Sequence, residues 1–214
     1  SRSVTYQSHQ KFNMWIDQKF IVLGKIFKKE KGSLLDLGSR DQILKKFLPN
    51  EISYVGVDIS KNIDESNLIV NLNNKLDFGD NSYDFVTALD VAEHLDDPKS
   101  FLDECLRVSR KNVFIVLPNI SYYESRLHFM FFGNLGSKYH FSGENKDDRH
   151  KWFINYHLIN NFFKKNHKKF KLKLIIKTRN KLQFLFFIEK FLAKLFPNLF
   201  SWSFLITLNK DIKN

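Results

Sequence analysis

The chain has 214 residues, enough for one α/β domain with a sizeable core. Apolar residues make up 43% and aromatic residues 15%, which excludes a disordered chain, and one cysteine excludes a disulfide framework and any usual Cys/His zinc cluster. The net charge of +11 sits in the last third: residues 143–214 hold 16 Lys and Arg against 5 Asp and Glu, and residues 1–142 hold 18 of each.

In chain order, Phe12, Trp15, Ile16, Phe20 and Leu23 recur at helical spacing, so an amphipathic helix packing on the domain is expected over 8–27. No secretory signal is visible in these first residues, and with the lone cysteine this favours a reducing, cytoplasmic location. Strands are expected at 33–37, 53–58, 68–72, 85–89, 112–117, 172–177 and 204–209. Helices are expected at 42–47, where Ile43 and Phe47 lie one turn apart, at 99–109 and at 155–163. In the helix over 99–109, Cys105 shares a face with Phe101, Leu102, Leu106 and Val108 and reads as a small buried thiol. The alternation predicts an α/β fold, a mostly parallel seven-stranded sheet with helices on both faces, and a ligand site outside the carboxyl ends of the strands. Residues 119–151 interrupt it with a stretch rich in Tyr, Phe, His and Gly, the kind of insertion that binds substrate. With no repeat, low-complexity tract or linker, the whole of 1–214 reads as a single domain: a helical cap at 1–31, a cofactor-binding core at 32–118, and an acceptor region with C-terminal strands at 119–214.

The most specific signal is Leu34-Leu35-Asp36-Leu37-Gly38-Ser39 followed one strand-helix-strand unit later by Tyr54-Val55-Gly56-Val57-Asp58. A buried strand ending in a glycine turn, with an acid closing the next parallel strand, suits a nucleoside whose ribose hydroxyls the acid accepts. Further ordered blocks follow: Asn71-Leu72-Asn73, Leu76-Asp77-Phe78, the run from Asp80 to Val86, Ala88-Leu89-Asp90-Val91-Ala92-Glu93-His94, and Val116-Leu117-Pro118-Asn119. Together they resemble class I S-adenosylmethionine-dependent methyltransferases, nearest the small-molecule enzymes of the ubiquinone-biosynthesis and MetW-like type, with their Rossmann-like sheet. The resemblance implies S-adenosyl-L-methionine as cofactor. It places Asp36, Gly38, Ser39 and Arg40 at the methionine moiety, Asp58 on the ribose, Ile59 and Leu72 along the adenine face, Asn71 at the adenine amine, and Leu89 and Asp90 beside the sulfonium.

The same comparison exposes departures. Arg40 and Gln42 stand where the family has glycines, and a turn that needs positive φ there would be strained. A non-catalytic protein that keeps the fold is therefore the rival reading. Methyl transfer asks mainly that the acceptor be held in line with the methyl, and an oxygen or nitrogen acceptor also asks for a base. His94 is the candidate catalytic base, although Glu93-His94 also fits a helix start that merely caps or packs. Asp90, Glu93 and His94 resemble a divalent-metal cluster of quinone-pathway O-methyltransferases, but no metal is assigned. Tyr122, Tyr123, His140, Arg149 and His150 are the candidate acceptor-binding residues, and Trp152 and Phe153 are expected to anchor the helix over 155–163 in the core.

A helix over 181–196 would be apolar on more than half its circumference, which fits burial in its own core, a homodimer contact or a membrane surface. Lys164, Lys165, Lys168, Lys169, Lys171 and Lys173 make the preceding segment basic. Peripheral membrane association and an RNA methyltransferase are both readings of that charge, but no RNA-binding module is recognisable. The expected acceptor is a small molecule or a carrier-linked group.

Overall fold

A computed structural model of the chain describes residues 18–60, 68–135, 139, 149–167, 169–177 and 183–210, with the side chains of 183–186 left aside. Seven strands, β1 (Gly32–Leu37), β2 (Ile52–Asp58), β3 (Leu68–Ile69), β4 (Tyr83–Leu89), β5 (Ser109–Pro118), β6 (Phe170–Ile175) and β7 (Ser203–Asn209), form one sheet. Their order is β3-β2-β1-β4-β5-β7-β6. The first five pair in parallel, whereas β7 runs antiparallel to both β5 and β6. The expected mostly parallel seven-stranded sheet is thus present.

Strict alternation along the strands divides the core in two. On one face Val113, Ile115 and Leu117 of β5 join Phe204, Ile206 and Leu208 of β7. Against them pack α2 (Pro98–Val108), through Phe101, Leu102, Cys105 and Val108, and α4 (Tyr156–Asn166), through Ile159 and Phe163. On the other face Phe114 and Val116 meet Leu23 and Phe27 of α1 (Gln18–Phe27). The Phe27 ring stands edge-on to both Phe85 and Phe114, each centroid 5.2 Å away. Residues 8–17 of the expected N-terminal helix lie outside the described residues. Cys105 is fully buried, and burial raises its thiol far above the ordinary value, in keeping with a packing role.

Several expected elements change at their ends. The segment over 42–47 is a short 3-10 helix, Ile43–Phe47, because Pro49 stops it before a longer α-helix can propagate. β3 ends at Ile69 rather than 72: the Asn71 side chain accepts from the Asn73 N–H at 3.0 Å and the Asn71 carbonyl from the Asn74 N–H at 3.1 Å, so the chain turns. Helix α2 starts at Pro98 with Asp97 as its cap, Oδ1 accepting from the Ser100 N–H at 3.0 Å. Glu93-His94 is therefore not its start. Those residues occupy a separate 3-10 turn, Ala92–His94.

The insertion after β5 contains α3 (Tyr123–Phe132), closed by Gly133 at φ 66°. Helices α5 (Gln183–Leu195) and α6 (Pro197–Phe200) lead into β7. Burial of α5 in its own core is not what the described side chains show: Glu189 and Ala193 face inward, and Phe187, Phe191 and Leu195 are exposed. Phe184 and Phe186 lie outside the described side chains. Lys171 and Lys173 are exposed on β6, an edge strand, where lysines discourage pairing with a further strand. Lys168 lies outside the described residues.

Candidate functional site

The carboxyl ends of β1, β2 and β4 meet in three turns. Beyond β1, Gly38 has φ +72°, and a Cβ there would fall 2.3 Å from Val91 Cγ2. Only glycine lets this turn close against the turn that follows β4. The Gly38 and Ser39 N–H groups both donate to the Val57 carbonyl, at 2.8 and 2.9 Å. Arg40 and Gln42 hold φ of 45° and 53°, so the positions expected to need glycine do need positive φ. That conformation costs about 1 kcal/mol each for residues with a Cβ. Part of the compensation is visible: the Arg40 N–H donates to Asp58 Oδ2 at 2.9 Å, tying the β1 turn to the end of β2. Asp58 Oδ1 accepts from the Ser60 N–H at 3.4 Å, so backbone groups orient both oxygens.

Asp36, three residues before Ser39, is almost wholly buried. The Tyr54 hydroxyl donates to its Oδ2 at 2.7 Å and the Thr87 hydroxyl to its Oδ1 at 2.6 Å. Burial raises its pKa to about 6, against the lowering effect of the two hydroxyls and of Lys19. The Tyr54 phenol is in turn pushed far up by its own burial and by the Asp36 charge. Thr87 is the register partner of Asp36 on β4. Tyr54 stands diagonally across on β2, where Gly56 pairs with Asp36.

At the end of β4, Asp90 adopts φ 55°, and its N–H donates to the Val116 carbonyl at 3.0 Å. The Lys19 ammonium on α1 donates to Asp90 Oδ2. Lys19, Tyr54 and Thr87 were not among the residues expected from sequence. Strand register could have flagged the last two, whereas Lys19 reaches Asp90 only through the docking of α1.

Glu93, His94 and His150 form a second group. Glu93 is fully buried, and the Nε2 atoms of His94 and His150 each lie 4.0 Å from its Oε1. The two imidazole rings meet edge to face at 4.8 Å. His94 Nδ1 donates to the Arg149 carbonyl at 2.9 Å, and His150 Nδ1 lies 2.8 Å from the Tyr139 hydroxyl. Burial and the Glu93 charge push the Tyr139 phenol up to about 12. The Lys151 N–H donates to the Glu93 carbonyl at 2.8 Å and Trp152 Nε1 to the Leu95 carbonyl at 2.8 Å, stapling residues 149–152 to the turn after β4. One carboxylate and two imidazole donors within 4.8 Å of one another could hold a divalent cation of the zinc, manganese or iron class. This trio replaces Asp90, Glu93 and His94 as the metal-type cluster, because Asp90 is paired to Lys19.

The other expected site residues divide between site, core and surface. Leu89 is partly buried beside Asp90, and Ile59 is exposed next to Asp58. Leu72 is packed in the larger core cluster rather than presented on an open face. Asn71 is exposed, with its amide oxygen engaged in the Asx turn. Tyr122, expected on the acceptor, is instead fully buried, its hydroxyl donating to Glu189 Oε1. Tyr123 is partly buried against the Tyr122 and Phe200 rings. Arg149 contributes its carbonyl to His94, and His140 lies outside the described residues. Trp152 is 45% exposed and Phe153 is exposed, so the indole is anchored by a hydrogen bond while Ile154, Ile159 and Phe163 do the core anchoring.

Residues 35–117 match the family described as "Methyltransferase domain". No curated protein matches the chain in sequence. Among solved structures, an S-adenosylmethionine-dependent methyltransferase from Archaeoglobus fulgidus is similar with a TM-score of 0.60 at 17% identity, over 90% of this chain and 92% of that one. Another from Thermotoga maritima gives 0.55 at 15% identity, over 90% and 89%. The small RNA methyltransferase HEN1 gives 0.60 at 16% identity, over 91% of this chain and 25% of that one. At these identities the likeness is one of fold.

Proposed function

We propose that this chain is a class I S-adenosylmethionine-dependent methyltransferase, on its methyltransferase-domain match over residues 35–117 and its shared fold, and that it methylates a small-molecule or carrier-linked acceptor, in keeping with the ubiquinone-biosynthesis and MetW-like type it resembles. Bound S-adenosylmethionine supplies a methyl group already activated by the sulfonium, so the protein's part is to position the acceptor and take its proton. The observation that carries the reading is the Glu93–His94–His150 group. With the Nδ1 hydrogen of His94 committed to the Arg149 carbonyl, a neutral imidazole presents a lone pair at Nε2. That nitrogen would take the acceptor's proton, and the nearby Glu93 carboxylate would stabilise the resulting imidazolium.

For the cofactor, the two backbone donors on Asp58 pre-orient its carboxylate for the ribose hydroxyls. Asp36, Gly38, Ser39, Arg40, Ile59, Asn71, Leu89 and Asp90 complete the proposed binding set. Asp36 would act mainly by charge and by fixing the β1 turn, given its burial and its two hydroxyl donors. Tyr123, His140, Arg149 and His150 remain the proposed acceptor contacts, within an acceptor region that begins after residue 118. Calorimetric titration with S-adenosylhomocysteine, and mass spectrometry of what co-purifies, test the reading. Binding that Asp58→Ala abolishes supports it, and a folded protein that binds no cofactor overturns it.

A further inference from the structure

Helix α3 follows β5 and points its last turn away from the core: none of its ten residues is buried. Phe129, Met130, Phe131 and Phe132 are 53, 65, 71 and 69% exposed, and Leu127 before them is exposed as well. Four consecutive helical residues step through about 300° of the helix circumference. A protein partner covers one face of a helix, an apolar stripe roughly 100° wide, and would leave part of this ring in water. A medium that surrounds the helix tip covers all four. The turn they occupy rises about 6 Å, within the roughly 5–10 Å to which interfacial helices sink into the headgroup and acyl boundary.

Charge on α3 and α5 points the same way. Arg126 on α3 and Lys190 and Lys194 on α5 are exposed cations. The acids described on these two helices are Glu124, paired with Lys177 at 2.6 Å, and Glu189, buried and accepting from the Tyr122 hydroxyl. The second of these contacts ties the residue that precedes α3 to α5. On α5, Phe187, Phe191 and Leu195 recur every four residues along an exposed face, a second apolar surface. No helix of the described residues is long and apolar enough to cross a membrane. A basic, aromatic surface on short helices suits attachment to a bilayer surface.

We propose that the α3 tip docks the protein on an anionic lipid surface, with Phe129 to Phe132 entering the acyl boundary and the exposed cations of α3 and α5 adding attraction to the lipid charge. The acceptor class follows, resting on the methyltransferase reading above. Helix α3 and His150 both belong to the stretch between β5 and α4, and an acceptor with an apolar tail is the class a bilayer-docked enzyme would take.

The test is flotation of the whole chain with phosphatidylcholine vesicles, with and without phosphatidylserine, over a salt series. Binding is expected only with the anionic lipid, weakening as salt rises. Phe131→Ser/Phe132→Ser should reduce it on the order of tenfold or more, with S-adenosylhomocysteine affinity unchanged. Phe131→Trp should show indole fluorescence quenched by lipids brominated on the acyl chain. Absence of vesicle binding, equal binding by the double variant, or no quenching in a bound Phe131→Trp protein overturns the proposal. So does lipid-free self-association that the double variant abolishes, since the ring would then be a contact between copies. Retained cofactor binding with failed flotation defeats the docking alone, whereas loss of cofactor binding in the unaltered chain defeats the methyltransferase reading.

Discussion

The ends of β1 and β2 and the turn after β4 are built in opposite ways. At the first, backbone does the work: Gly38 and Ser39 donate to Val57, Arg40 donates to Asp58, and every partner lies within about one strand-helix-strand unit. At the second, side chains far apart in sequence converge, since the His94 and His150 rings meet edge to face and both face Glu93. Sites made of backbone and short loops constrain the sequence to a recognisable pattern. Sites assembled from distant side chains leave almost none.

The largest effect expected from breaking the backbone-built end is at Asp58. Asp58→Ala should weaken S-adenosylhomocysteine binding by about 2–4 kcal/mol through lost charge-assisted hydrogen bonds, with the fold retained and a modestly lower melting temperature from the lost Arg40 N–H bond. Isothermal titration reads the loss, and unchanged affinity in a folded variant would remove Asp58 from the site.

Asp36 gives the next effect, and its sign is fixed by burial. Because its native pKa is raised to about 6 from 3.8, it favours the folded state in acid, and that contribution disappears as pH rises from about 4 to about 6. Relative to Asp36→Asn, the unaltered protein should therefore lose about 3 kcal/mol of stability across that window, as judged from 1.36 kcal/mol per unit. Urea melts at several pH values check this, and parallel curves for the two proteins would refute it. A bound cofactor cation near Asp36 would favour its ionised form, so cofactor affinity should rise as pH climbs through 6.

At the side-chain-built end, His94→Ala should lower turnover within about 100-fold, because proximity supplies most of the acceleration. Chelator sensitivity reversed by a divalent cation would instead make Glu93, His94 and His150 metal ligands.

The smallest change sharpens the contrast from within the backbone-built end. Arg40→Gly should release strain at φ 45° and raise stability by about 0.5–1 kcal/mol, partly offset by the extra freedom of the unfolded chain. Cofactor affinity should move little, because Arg40 contributes its N–H, which glycine keeps. A large gain in affinity would mark the present turn as a decayed cofactor site.

How much was legible follows from the range of the forces. Local periodicity located all seven strands to within a few residues. The Asn71 side chain shortened β3, and Asp97 with Pro98 moved the start of α2, both through local capping chemistry that outweighs apolar pattern. Tyr122 read as an acceptor contact because an aromatic hydroxyl on an insertion suits one. Its burial against Trp202 and its bond to Glu189 depend on how α5 packs, which no local pattern carries.

The sequence by itself determined the parallel core, the glycine turn and the acid at Asp58, since each is written in residues close together and enforced by backbone sterics. Tertiary structure alone decided that Lys19 meets Asp90, that Tyr54 and Thr87 hold Asp36, that His150 joins Glu93 and His94, and that the last turn of α3 stands exposed. These depend on which surfaces the sheet and helices bring together, and burial and charge pairing act at that range irrespective of separation along the chain.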